Sequence, residues 1–160
     1  VTAVSWHAPN AAGDGRETKM AGYAAINRYL GDCSRPVVAG MDNNSSSAMP
    51  PLTELRDDWY DQDAFFAAEP PHRLQDAYRV WLEEHPDELA RVLRLRPDGP
   101  LEVTYDRGKK SFPTVERFDR IMVSSSVRVE SVAHHYSDSL AAGSDHALVA
   151  ADLIVPPPEG

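Results

Sequence analysis

A small set of side chains, spread along most of the sequence, is of the kind that holds charge and moves protons: His7, Asp42, Asn44, Asp119, Asp145 and His146. Each stands where an apolar run begins or ends. Gly143-Ser144-Asp145-His146 is followed at once by an apolar alternation over residues 147–155. An acid beside an imidazole at the mouth of a half-buried strand belongs in a cleft. Far upstream, Pro36-Val37-Val38-Ala39-Gly40 breaks off into Met41-Asp42-Asn43-Asn44-Ser45-Ser46-Ser47. Asp42 and Asn44 are two apart, so extended backbone points both to one side, a charge and a neutral amide together.

In Arg117-Phe118-Asp119-Arg120-Ile121-Met122-Val123 a strand of buried character opens on an acid flanked by arginines. Such an acid can accept from an imidazole, fixing its tautomer and raising its basicity; the alternative is a pair with Arg117 or Arg120. His7 closes the first strand-like stretch. Hydrolysis of a phosphate ester needs an activated water, stabilisation of negative charge on the phosphoryl oxygens and relief of charge on the leaving oxygen. Carboxylates, a divalent metal, a histidine base and an amide donor meet those needs, and this set supplies the protein's share of them.

Other candidates read better as structure. His134 and His135 lie in a strand without acidic neighbours, one facing each side. Cys33, the only cysteine, has no histidine beside it and reads as a helix-end residue. The acids Asp57, Asp58, Asp61 and Asp63 lack the glycine and terminal glutamate of a calcium loop and suit a solvated face. Arg91, Arg94 and Arg96 form a basic patch, read as a solvated helix face in preference to a phosphate contact.

The elements that position these residues follow from periodicity. Residues 1–7 alternate as a strand, 10–15 form a loop, and 17–30 recur at helical spacing through Met20, Tyr23, Ala24, Asn27 and Leu30, with Gly31 as the stop. A second strand enters at Arg35-Pro36, so strand, helix and strand form a crossover unit of an α/β sheet. A loop over 45–51 and a short helix over 52–59 come next. Leu74, Ala77, Tyr78, Trp81 and Leu82 define an amphipathic helix over 73–84, and Pro86 opens another to Leu95. Strands are expected over 101–105, 115–125, 127–136 and 143–155, with 115–125 and 127–136 paired antiparallel.

At 160 residues and 42% hydrophobic, the chain suffices for one domain or a large part of one. No window has the roughly 18 to 20 apolar residues of a membrane span, and no signal-peptide series opens the sequence. The strand at Val1 calls for neighbours, which suggests an upstream segment removed or supplied separately. Twenty-five acids against 16 bases, a formal net charge of -9, weigh against avid nonspecific duplex binding, which draws on basic surfaces. They do not weigh against metal-dependent phosphate chemistry.

Val37-Val38-Ala39-Gly40 with Asp42-Asn43-Asn44, Gln75-Asp76-Ala77-Tyr78-Arg79, Arg117 to Ser124, and Ser144-Asp145-His146 together resemble the endonuclease/exonuclease/phosphatase superfamily, the fold of DNase I. Ser5-Trp6-His7-Ala8-Pro9 is similar to its central strand ending in histidine. The resemblance spans residues 1–155, followed by a Pro-rich tail at 156–160, and implies only the C-terminal part of the family domain. It implies an α/β fold, part of a four-layer α/β/β/α sandwich with mixed sheets and flanking helices, and a magnesium- or manganese-dependent phosphoesterase. It implies His146 as base or phosphate partner oriented by Asp119, Asp145 on the metal side, and Asp42, Asn44 and His7 about the water and the scissile phosphate. The substrate would be a nucleic acid or a small phosphorylated molecule, and the missing N-terminal half a partner. Two departures stand out: an extra residue separates Gly40 from Asp42, and the asparagine and metal-binding glutamate of the family's first half have no counterpart.

Overall fold

The computed structural model describes residues 1–9, 15–44, 73–97, 100–106 and 115–157. The expected helix over 52–59, the loop over 45–51, most of the loop over 10–15 and the acid cluster at Asp57 to Asp63 lie outside the described residues. The elements in order are β1 (Thr2–His7), α1 (Gly15–Asp32), β2 (Val37–Asp42), β3 (Gln75–Asp76), α2 (Ala77–Glu84), α3 (Pro86–Leu95), β4 (Tyr105–Asp106), β5 (Val115–Glu116), β6 (Asp119–Val123), β7 (Arg128–His135), α4 (Tyr136–Ala141) and β8 (Leu148–Ile154). Helices and strands mix throughout, as expected of an α/β chain.

β1 and β2 are parallel, joined through α1 as the crossover pattern predicts. β2 then pairs antiparallel with β6, and β6 with β3, giving the sheet order β1-β2-β6-β3. The continuous apolar run of β2 has a physical reason: Val37, Ala39 and Met41 face α1 with Tyr23 and Leu30, while Val38 faces Val123, Val127 and Val129. A strand covered on both faces cannot alternate polar with apolar. On that second face lie the β7–β8 ribbon and α2, and a third cluster of Tyr78, Leu82, Val92 and Leu101 seats α2 and α3.

Several expectations need correction. α1 continues through Gly31 to Asp32, because Gly31 keeps helical backbone. The helix expected over 73–84 starts at Ala77, since Gln75 and Asp76 are drawn into the sheet edge and Asp76 caps the helix, accepting from the Tyr78 N–H at 3.0 Å. The strand expected over 101–105 reduces to β4: the Arg96 guanidinium takes the carbonyls of Pro100 and Leu101 at 2.9 and 2.7 Å, and Leu101 is buried in the third cluster. Residues 115–125 divide into β5 and β6, because Thr104 Oγ1 accepts from the N–H groups of Phe118 and Asp119 at 2.8 and 3.0 Å. The strand expected over 143–155 begins only at Leu148.

The expected β6–β7 pair does not form. Both edges of β6 are occupied, by β2 and β3, so the chain turns at Ser124, whose N–H donates to the Val37 carbonyl at 3.0 Å, and β7 pairs with β8 instead.

Between the layers lies a buried ion pair. Asp76 and Arg117 side chains are 5% and 2% exposed and doubly hydrogen-bonded. Burial alone would raise the Asp76 carboxyl, but Arg117 overrides it and holds the group down at about 2. His134 sits beside this pair, edge-on to Tyr78 at 4.7 Å, its Nε2 buried without a hydrogen bond. Burial, and next the Arg117 charge, push its imidazole down to about 3, although Asp76 opposes them.

His134 is therefore neutral in the folded protein and titrates near 6.5 once unfolded. The unfolded state binds the extra proton, so His134 favours folding fully above pH 6.5 and loses that contribution as pH falls toward 3. Unfolding free energy is expected to fall by up to about 1.4 kcal/mol per pH unit in that window from this group alone. Urea titrations of wild type and His134→Phe between pH 3 and 7 should diverge there; parallel curves would refute the assignment.

Candidate active site

The sheet register builds the site. His7 is opposite Asp42 across β1 and β2, and Asp42 is opposite Asp119 across β2 and β6. Directly opposed residues share a face, so one row across three strands carries an imidazole and two carboxylates. His146 arrives from the loop before β8 and completes the group. Its Nδ1 lies 2.9 Å from Asp119 Oδ2 and 3.9 Å from Asp42 Oδ2.

Asn44 joins by a different route from the one expected. Its backbone is left-handed, with φ of 46°, a conformation asparagine tolerates better than most residues. Its N–H donates to Asp42 Oδ1 at 2.9 Å, and its Nδ2 donates to the Ala8 carbonyl at 2.9 Å and reaches His7 Nε2 at 3.0 Å. A tight turn, not extended backbone, brings Asp42 and Asn44 together. His7 Nε2 also lies 3.3 Å from Asp42 Oδ2, with its ring 73% exposed. Neutral His7 accepts from Asn44, whereas protonated His7 would turn that nitrogen toward Asp42.

The expected Asp119–His146 interaction is present, and Arg117, one of the two alternative partners for Asp119, is engaged with Asp76 instead. Burial pushes the Asp119 carboxyl up, while the hydrogen bonds to His146 and Thr104 act to lower it. Asp145 is exposed and lies outside the cluster formed by Asp42, Asp119 and His146. His134 and His135 are not part of that cluster, and Cys33 donates to the Tyr29 carbonyl at the end of α1. Arg91 pairs with Glu88 on α3, and Arg96 closes the following loop, so two of the three arginines of the basic patch are engaged locally.

Some positioning residues carried no sequence signal. Thr104, wholly buried, ties the site's two late segments together: its Oγ1 holds the start of β6 and its carbonyl accepts from the Ala147 N–H at 2.8 Å. Tyr105 stacks on Phe118 at 5.2 Å and lies against His146 at 4.8 Å, fixing the imidazole from one side. Ser144 Oγ donates to the His146 carbonyl and accepts from its N–H, and Gly143, at φ 88°, turns the chain out of α4.

From α1, Lys19 Nζ donates to the Asn44 carbonyl, and one turn later Tyr23 Oη donates to the Asn43 carbonyl at 2.7 Å. Their i, i+4 spacing was the available signal. Tyr23→Phe would leave the buried Asn43 carbonyl without that donor, and a stability loss of about 1–2 kcal/mol is expected. Exchange at the Asn44 amide should accelerate beyond the global change if Tyr23 holds the turn; exchange that tracks global stability alone would show that it does not.

The cluster can hold and direct a proton, since Asp119 accepting from Nδ1–H leaves Nε2 of His146 as the basic nitrogen. It also fits a divalent cation: one donor atom from each of Asp42, Asp119 and His146 lies within 4.8 Å of the others, and two are hard carboxylate oxygens. Among the described residues no helix is long and apolar enough to cross a membrane.

No protein-family model matches the chain, and no curated protein matches it. Among the solved structures similar to it are two from Bacteroides thetaiotaomicron. One is a mannosyl-6-phosphatase, at 17% identity and a TM-score of 0.44 over 92% of this chain and 49% of that one. The other is an endonuclease/exonuclease/phosphatase family protein, at 20% identity and a TM-score of 0.44 over 94% of this chain and 48% of that one. The chain thus spans about half the length of each.

Proposed function

We propose that residues 1–155 are the C-terminal part of a DNase I-like endonuclease/exonuclease/phosphatase domain, a four-layer α/β/β/α sandwich when complete, with 156–160 as a tail. We infer a metal-dependent phosphoesterase that cleaves a phosphodiester or phosphomonoester by direct attack of water. The observation that carries this reading is the convergence of His7, Asp42, Asn44, Asp119 and His146 at one end of the sheet, with the Asp119–His146 contact at 2.9 Å.

His146 accepts the proton of the attacking water at Nε2 while Asp119 holds Nδ1–H and stabilises the imidazolium that results. We assign His7 and Asn44 to orienting the phosphoryl oxygens, Asn44 by turning one Nδ2–H from His7 to the phosphate, and Asp42 to orienting both of them. Asp42 and Asp119 would hold magnesium or manganese, and the exposed Asp145, outside their cluster, is assigned to the metal side. When bound, the cation supplies charge neutralisation at the phosphoryl and leaving oxygens. Further ligands belong to the N-terminal half, which we propose as the partner of this chain.

Hydrolysis of bis-p-nitrophenyl phosphate by this chain, with and without the upstream half and with magnesium or manganese, tests the reading. A metal-dependent rate that chelation abolishes and the His146→Ala blank lacks is expected once both halves are present. Stoichiometric binding of a partner with no such rate would identify an interaction module that kept the fold.

A further inference from the structure

Beside His146, on the side of α4, the surface opens into a cavity of about 560 Å³, within the range of roughly 300–1,000 Å³ usual for small-molecule sites. Its walls include His135, Asp138, Ser139, Ala142 and Leu148, and His146 itself contributes. His146 is thus common to this cavity and the Asp42–Asp119 cluster, while neither carboxylate of that cluster lines the cavity. Through that shared imidazole, a phosphoryl group held at the cluster would have room for its ester substituent in the hollow.

The lining says what kind of substituent fits. Among the described residues no lysine or arginine lines it, and it carries the Asp138 carboxylate, whose charge disfavours a second phosphate. Asp138 is 86% exposed, with His135 Nδ1 3.5 Å from its Oδ2. Ser139 Oγ accepts from the Leu148 N–H at 2.8 Å and keeps its own hydrogen to donate. A carboxylate that accepts and a hydroxyl that donates, set around the methyl groups of Ala142 and Ala147 and the side chain of Leu148, suit a compact ring with hydroxyls on its rim and C–H groups on its face.

Resting on the function proposed above, we infer that this cavity binds the neutral, polyhydroxylated alcohol of a small phosphomonoester, a sugar or polyol phosphate, in preference to a polynucleotide. The two halves together, or the full-length protein, are assayed on glucose 6-phosphate, methyl phosphate and plasmid DNA. kcat/KM for glucose 6-phosphate is expected to exceed that for methyl phosphate. Ala142→Trp, which fills the cavity, and Asp138→Ala, which removes its acceptor, should each lower the ratio of the two about tenfold, the equivalent of one good hydrogen bond.

Ala142 and Asp138 are both exposed, and circular dichroism of both variants checks that folding is intact. A ratio near one that neither variant moves overturns the sugar subsite while leaving the phosphoesterase reading in place. Preferential cleavage of DNA also overturns it. Absence of turnover on all three substrates removes the phosphoesterase reading, and the subsite with it.

Discussion

Replacing His146 by alanine in the full-length protein is expected to lower turnover about a hundredfold or more, the usual cost of losing a general base. The expectation follows from geometry: Nδ1–H is committed to Asp119 at 2.9 Å, so the neutral ring presents Nε2 as its basic nitrogen. Asp119→Asn separates proton transfer from simple packing. It preserves size and the Tyr105 contact with His146, but its amide can present an N–H to Nδ1 and reverse the tautomer. At saturating metal, which offsets any loss of Asp119 as a cation ligand, turnover should fall at least tenfold with KM little changed if tautomer control matters. Near-normal turnover in His146→Ala would remove that residue from the chemistry altogether.

Breaking the Asp76–Arg117 pair is expected to give the largest loss of stability. Arg117→Met leaves a carboxylate that is 5% exposed without its cation, a situation that costs about 3–5 kcal/mol. Asp76→Ala should cost a comparable amount, because it also removes the cap of α2, itself about 1 kcal/mol. The double mutant should lose less than the sum, since neither charge is then stranded.

The pH signature of this pair has a definite sign. With Arg117 present, Asp76 titrates at about 2 in the folded protein against 3.8 in the unfolded chain. Its contribution is fully present above 3.8 and is lost as pH falls through 2. Without Arg117 the dominant remaining influence is burial, which raises the carboxyl, so acid should stabilise the mutant relative to neutral pH. Urea unfolding from pH 3 to 7 reads both the size and the reversal; an Arg117→Met protein within 1 kcal/mol of wild type at neutral pH would show that the pair contributes little.

Much of the local structure was legible because it depends on near neighbours. Apolar alternation up to His7, the helical recurrence of Tyr23, Asn27 and Leu30, and Pro86 at the first turn of α3 each constrain only a few adjacent residues. The chemistry-bearing residues stood out for a related reason: Asp42 and Asp119 are charges at the ends of apolar runs, where burial without a task would be costly. His146 beside them in type, though far in sequence, completed a recognisable set.

What tertiary structure alone decided was which strands meet. Residues 115–125 and 127–136 have the composition of a hairpin, yet β6 already has a neighbour on each edge, and a strand has only two. That same competition put Asp119 opposite Asp42, and so made the site. In sequence, pairing of Asp119 with a flanking arginine was the alternative to pairing with an imidazole; the separate destination of Arg117, beneath α2 with Asp76, left Asp119 to His146. The amino-acid sequence thus determined the elements and the reacting groups, through short-range periodicity and the cost of burying charge. The register of β1, β2 and β6, the seating of Thr104 and Tyr105, and the left-handed turn at Asn44 depended on long-range packing, where each pairing is settled by what the other edges have already taken.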